Sequence, residues 1–374
     1  MTLGKRFKRF KEDHHVAFEV SFFMAGFAFD AVLLHRIDNV ALLIHQALYL
    51  VLTFGLIAWD HRIYVEGKEP TGRFIGRVAG VRLWVMHFFL GTLLNAFMVF
   101  YFKASSGIWA FLFISALLAV MIVNELPRFR KRGPVVRVAL LSFATTSYLA
   151  YLLPIALGYL HWVLFLTSVI IGTAVTVGMW KAYTRITHDP NWTFRRAVLP
   201  GLGVQVLLLA LYFLKVVPPV PLSLKYIGIF ADVTRSKDEH GALEFQCAYT
   251  PTDFWRRDGS KFVYREPADG SKVRAYAFIA VFAPRGFNDT LSFNWEYEDP
   301  KRGWVSRGSY RTALGKGQQG RDEGFRTFAY TTLAGPGEYR VIVRSSDDRE
   351  IGRKTFEAVR DTTTEPVVQS LVVH

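Results

Sequence analysis

The chain has 374 residues, 51% of them hydrophobic, a mean hydropathy of +0.20 and a formal charge of +14. It has room for two domains, and its composition is too apolar for one soluble domain. Its one cysteine, Cys247, excludes an intrachain disulfide and any multi-cysteine metal centre.

The charge invites a nucleic-acid reading, which its distribution sets aside. Residues 1–222 carry 22 basic and 10 acidic side chains, and residues 223–358 carry 22 and 19. The surplus lies in the apolar half, where basic residues set topology, so the expected partner is a lipid bilayer and not nucleic acid.

Apolar segments fall at about 16–34, 38–58, 82–102, 107–126, 136–153, 155–178 and 197–217. Each approaches the roughly 20 residues that cross a bilayer as a helix, so the sequence predicts seven spans. The first lacks a small-x-small cleavage site and reads as an uncleaved signal anchor. The fifth and sixth, joined by YLLPIALG, read as a tight hairpin or a broken re-entrant pair.

With the N-terminus in the cytoplasm, the inside segments hold 19 Lys or Arg and the outside hairpins hold two, Arg36 and Lys103. That split follows the positive-inside rule. An odd span count then puts everything after Leu214 outside the cytoplasm, so the topology rests on parity. The expected location is the bacterial inner membrane.

Polar residues within the spans are the first functional candidates, because ionisable groups in a bilayer are costly. Glu19 and Asp30 lie eleven residues apart and share a helix face. Two readings stand for them: a proton or ion route, or interfacial pairing, with Arg36 in reach of Asp30. His87, Asn95, His161 and Gln205 either line a path between helices or serve as interhelical hydrogen-bonding residues. Neither histidine has paired-ligand spacing, so no metal or other cofactor is expected.

VVPPVPL ends the last span. Pro218, Pro219 and Pro221 cannot continue a helix and predict a short, stiff, extended connector over 218–223. Tyr212 and Phe213 fall where an interfacial aromatic anchor would lie.

From Leu224 the hydrophobic period becomes two. LKYIGIFADV, ALEFQCAY, KVRAYAFIAVF, TLSFNWEYE, GWVSRGSYRT, FRTFAYTTL, GEYRVIVRS and IGRKTFEAV are eight strand candidates separated mostly by Gly, Asp, Asn or Pro. They predict an all-β, immunoglobulin-like antiparallel sandwich over 224–359, after a helical membrane domain over 1–217. Residues 360–374 read as a loose tail.

Catalytic motifs are missing: there is no GxSxG elbow, Walker A sequence or dinucleotide fingerprint. The glycine-rich ALGKGQQGRDEG at 313–324 lacks a GK[ST] ending and a following helix, and reads as a long loop. In SFNWEYED, alternation puts Phe293, Trp295 and Tyr297 on one face, as a core requires, and Glu296 and Glu298 on the other. Trp255 and Trp304, at strand edges or in loops, join Glu296 and Glu298 as a candidate contact surface. Aromatics interleaved with carboxylates suit a glycan or an envelope protein.

The stretch from about Lys272 to Val359 resembles the bacterial domain of unknown function DUF2914. The resemblance rests on VRAYAFIAVFAPRGFNDTLSFNWEYED, GFRTFAYTT and PGEYRVIVRSSDDREIGRKTFEAV, with Trp295, the GFRTF segment at 324–328 and the closing Gly-x-Tyr-Arg-Val hairpin. The multi-span half is similar to the DUF5924 type of segment that accompanies this domain in some bacterial membrane proteins. The resemblance implies the two-part architecture and brings no catalytic residues.

Taken together, these features lead us to expect a non-enzymatic inner-membrane protein whose exported β domain binds an envelope protein or glycan. The alternatives are a transporter or channel-like protein, and an envelope enzyme acting on polysaccharide or peptidoglycan.

Overall fold

The computed structural model describes residues 36–67, 75–105, 108, 111–116, 119, 134–237, 243–249, 261–265, 272–314, 324–360 and 369–373. Six α-helices have defined bounds among them, and not seven: α1 (Val40–Glu66), α2 (Ile75–Ala104), α3 (Pro134–Leu157), α4 (Trp162–Thr187), α5 (Pro190–Thr193) and α6 (Leu199–Phe213); residues 111–116 are helical as well. The expected span at 16–34 lies outside the described residues, as does most of that at 107–126.

Among the described residues, four helical stretches are long and apolar enough to cross a membrane: Val40–Glu66, Val135–Leu157, Trp162–Thr187 and Pro190–Phe213. Their burial is inverted relative to a water-soluble bundle. On α1, Gln46, Thr53 and Asp60 are buried, whereas Val40, Ile44 and Val51 are more than 60% exposed. An apolar exterior around polar contacts is what a bilayer solvent selects.

Local chemistry sets the helix ends. The Asn39 carbonyl oxygen Oδ1 accepts from the Ala41 and Leu42 amides at 3.0 and 3.4 Å. Gly67, at φ 66°, closes α1 by donating to the Ile63 carbonyl. The Asp189 side chain caps α5 through the Trp192 amide at 2.9 Å, with Pro190 in the first turn. A π-turn, Phe194–Val198, links α5 to α6 just before Pro200, whose missing N–H and ring disfavour a regular α-helical turn there.

Pro154 sits inside α3 without ending it, so the fifth and sixth apolar runs form two full helices joined by a short loop. Tyr212 is buried and stacks on Phe165 at 4.0 Å, while Phe213 is exposed.

The chain divides into two compact units. The first comprises 1–102, 109–156 and 162–217; the second comprises 103–108, 157–161 and 218–374. The second unit therefore includes two short loops from the helical half of the sequence.

Among the described residues, eleven strands build the second unit. β1 (Ser223–Phe230), β5 (Arg274–Phe282) and β8 (Phe325–Thr332) form one antiparallel sheet. A five-stranded sheet has the order β4 (Lys261–Tyr264), β10 (Glu350–Arg360), β9 (Gly337–Arg344), β6 (Thr290–Asp299), β7 (Gly303–Ala313). A third sheet has the order β11 (Gln369–Val373), β3 (Leu243–Tyr249), β2 (Asp232–Lys237).

Three strands lie outside the eight expected segments or extend well beyond them: β2, β4 and β11. β4 pairs parallel to β10, which an all-antiparallel reading excludes. Part of the stretch expected to be a loose tail is β11, paired with β3 from Gln369↔Tyr249 to Val373↔Phe245.

β5 explains the two cores. Its Ala275, Ala277, Ile279 and Val281 join one cluster with Phe293, Trp295, Tyr339, Val341 and Phe356. Its Phe278 joins a second with Phe230, Val233, Phe245 and Cys247. A strand buried on both faces reads as a nearly continuous apolar run, as AYAFIAVF does.

The connector turns where an extended segment was expected. The Val220 amide donates to the Pro218 carbonyl at 2.9 Å and the Leu222 amide to the Pro219 carbonyl at 3.0 Å. Leu222 is fully buried in the larger β core.

Loop 157–161 is built into the same unit. Leu160 belongs to that core, the Gly158 carbonyl accepts from the Asn288 amide at 2.5 Å, and the Ser346 hydroxyl donates to the Leu160 carbonyl at 3.2 Å. Gly158, at φ +80°, has the Gly286 carbonyl oxygen 2.9 Å from where a Cβ would sit, so only glycine fits this approach.

Candidate functional site

Of the intramembrane candidates, Glu19 and Asp30 lie outside the described residues. His87 belongs to α2, and its side chain is likewise outside the described set. Arg36, expected within reach of Asp30, makes a two-pronged contact with Asp38 at 3.0 and 2.9 Å. His161 is exposed in the loop before α4, so it is not a mid-span residue. Asn95 is buried on α2.

Gln205, on α6, is the best defined. Its amide nitrogen donates to Ser142 Oγ at 2.6 Å and to the Ser142 carbonyl at 3.2 Å, and its oxygen accepts from Thr146 at 2.9 Å. Thr176 lies 3.0 Å from Ser142 Oγ, which also lies 3.3 Å from the Gly201 carbonyl. Gly172 and Gly201 let the backbones approach around this cluster. A Cβ at Gly201 would come within 2.5 Å of Thr176 Cγ2. Small residues around a hydrogen-bonded amide are interhelical glue, the second of the two readings open for Gln205.

A second buried cluster was missed in the sequence. Asp60, on α1, accepts from Arg82 Nε of α2 at 2.7 Å and from Arg137 of α3. Beside it the His61 ring stacks on Tyr183 at 3.7 Å and lies 5.7 Å from Trp192. The available signal was a carboxylate inside the run LIAWDHR, where one unpaired charge is costly and a basic partner on another helix is required.

In the β unit, Trp255 lies outside the described residues. Phe293 and Trp295 are buried as alternation requires, and Tyr297 is half-buried. Glu296 and Glu298 both leave the core but meet different neighbours. Register places Glu296 opposite Arg340 of β9, and the two form an ion pair. The Arg340 guanidinium also lies over the Trp304 ring at 4.1 Å, so Trp304, Arg340 and Glu296 form one stacked trio.

The next row across the sheet holds three carboxylates and ends on a lysine. Trp304 of β7 faces Glu298 of β6, Glu338 of β9 faces Glu357 of β10, and Glu357 faces Lys261 of β4. Because Tyr297 pairs with Tyr339, Glu298 and Glu338 come level as well. A hydrogen bond with the Glu298 carboxylate, and then its charge, pushes the Glu338 carboxyl above its ordinary range. Like charges opposite one another destabilise a sheet, so this row is a departure from local preference of the kind found at functional surfaces.

Among the described residues no group of three or more His, Cys, Asp or Glu could hold a metal ion.

No family model matches the chain, and no curated protein matches it. Among solved structures, a β-glucosidase from Kluyveromyces marxianus is 13% identical over 26% of this chain and 13% of that chain, at a TM-score of 0.17. The chain thus spans about one eighth of that enzyme. The alkylpurine DNA glycosylase AlkC of Pseudomonas fluorescens, bound to DNA containing an abasic site analog, is 12% identical over 87% of this chain and 99% of that chain, at a TM-score of 0.22. At such scores neither likeness carries an argument about fold or activity.

Proposed function

We propose that the chain is a bacterial inner-membrane protein whose helices hold a DUF2914-like, immunoglobulin-like β-sandwich outside the cytoplasm. There the exposed face of its five-stranded sheet binds a basic segment of another envelope protein, without catalysis. The observation that carries the binding reading is the acidic row Glu298, Glu338 and Glu357, flanked by the Trp304–Arg340–Glu296 trio. Arg340 covers one face of Trp304, which favours a protein partner over a sugar stacked on that ring.

Parity supports the location. Residues 103–108, 157–161 and 218–374 belong to one unit, and two apolar helical stretches separate the second of these segments from the third. All three fall on the side opposite the basic segments in the arrangement with a cytoplasmic N-terminus.

The test is photo-crosslinking from position 306, whose serine is exposed and lies opposite Glu296, in the full-length protein in its native membrane. The expected result is an adduct with an envelope protein that is lost in the triple variant Glu298→Gln, Glu338→Gln, Glu357→Gln and in high salt. An adduct unchanged by both treatments would overturn the reading.

A further inference from the structure

The buried polar side chains of α1 recur every seven residues at Gln46, Thr53 and Asp60, one stripe facing into the bundle. Two contacts fix what the stripe meets on α3. Asp60 pairs with Arg137, and Gln46 accepts from the Tyr151 hydroxyl. Both contacts are fourteen residues apart along each helix and run antiparallel. Midway, Thr53 therefore comes level with Ala144, a small and fully buried residue, with Ser147 one turn further along α3. At 1.5 Å per residue the seam is about 21 Å long.

Four buried polar atoms along it lack a hydrogen-bond partner among the described residues. Thr53 Oγ1, Ser147 Oγ, Gln46 Nε2 and His61 Nε2 are buried and make no hydrogen bond among the described residues, and each residue is at most 3% exposed. This is not the habit of hydroxyls in this bundle. Thr92, Ser115, Thr145, Thr167, Ser168, Thr176 and Thr187 each bond back to the carbonyl four residues earlier. Thr53 and Ser147 do not, so their hydroxyls are held for something else. Leaving such a group dry forfeits the hydrogen bonds it makes to water in the unfolded chain.

We propose that the α1–α3 seam binds internal water, with hydration sites at the Thr53–Ser147 level and at the Gln46 and His61 ends. Neutral water fits the donor set better than an ion. The orphan groups are two hydroxyls, an amide and an imidazole nitrogen, and the described charges of the seam, Asp60 and Arg137, are paired with each other. Leu50 and Ile57 are buried between the stations, so the sites are separate stops and not an open pore. The inference depends on the bundle alone and not on the location or partner of the β unit.

The test is the order of two substitutions at one position, read from unfolding equilibria of the full chain in detergent. Thr53→Val keeps the shape and removes the hydroxyl; Thr53→Ser keeps the hydroxyl and removes a methyl. A hydrated seam makes Thr53→Val the more damaging, lowering the folding constant at least fivefold, with Thr53→Ser closer to wild type. Ser147→Ala should fall with Thr53→Val, and the exposed, back-bonded Thr167→Val serves as the neutral reference. A dry seam reverses the order, with Thr53→Val neutral or stabilising and Thr53→Ser the weaker variant. That reversal would overturn the proposal.

Discussion

Gly172 shows how closely the bundle is fitted at single positions. A Cβ there would run into Thr146 Oγ1 and come within 2.7 Å of Gln205 Nε2 and 3.2 Å of Gln205 Cδ. Because Gln205 is already bonded to Ser142 and Thr146, it cannot retreat without breaking those contacts. Gly172→Ala should therefore destabilise the helical unit by about 1–3 kcal/mol, the range for overpacking a filled core. Gly203→Ala, where nothing lies within 4 Å, should be neutral or slightly stabilising. Unfolding of the two variants in detergent checks both, and equal effects would mean that the Gln205 cluster is not tightly packed. Gln205 was identifiable in the sequence as a polar residue in an apolar run. Its partners Ser142 and Thr146 were not, because hydroxyls are common in spans and nothing local tells which of them face each other.

At the level of elements, the turn between β9 and β10 does more than reverse the chain. Arg349 donates to Asp347 at 2.6 Å and to the Pro218 carbonyl at 3.1 Å, and both side chains of the ion pair are at most 7% exposed. Asp289 is buried nearby. Burial pushes its carboxyl above the ordinary value of 3.8, with the Asp347 charge adding to the push, against hydrogen bonds from Ser346 and the Thr290 amide. A raised folded-state value means that the folded form binds the proton more tightly than the unfolded one. The contribution of Asp289 is then full below the ordinary carboxylate range and is lost as the pH rises through the folded value. Asp289→Asn should raise the melting temperature of the β unit at pH 7 and leave it unchanged near pH 3. A loss of stability at pH 7 would show the charge to be needed. Alternation made most of these strands legible, and β6 and β9 fall within a residue or two of the expected segments. Partners were not legible. The acidic row of Glu298, Glu338 and Glu357 exists only because three distant strands take one register. The parallel β4 is four residues long, too short to show a period.

For the whole molecule, the uneven charge and the inverted burial of the helices point to the same solvent. The β unit gives that arrangement a direct check. Ser309 of β7 is exposed, and burial pushes the Cys247 thiol up to about 12, which keeps it unreactive near neutral pH. With Ser309→Cys in a Cys247→Ala background, a membrane-impermeant thiol reagent should label intact spheroplasts as fully as lysed ones. Protection until lysis would place the β unit in the cytoplasm and end the envelope reading. The apolar runs made the helices visible, but their ends extend past them, as where α1 continues through Asp60 to Glu66. The allocation of 157–161 to the β unit had no local signal, since it depends on Gly158 meeting Asn288 and Leu160 entering a core built some 60 residues later. A ribosome finishes the hairpin loop long before it finishes the strands that enclose it, so part of the core is delivered in advance by the membrane-insertion step. If the hairpin were threaded the wrong way, Leu160 would be missing from that core and the Gly158 and Leu160 carbonyls would lose their partners. Completion of that core therefore requires the hairpin loop to meet Asn288 and Ser346.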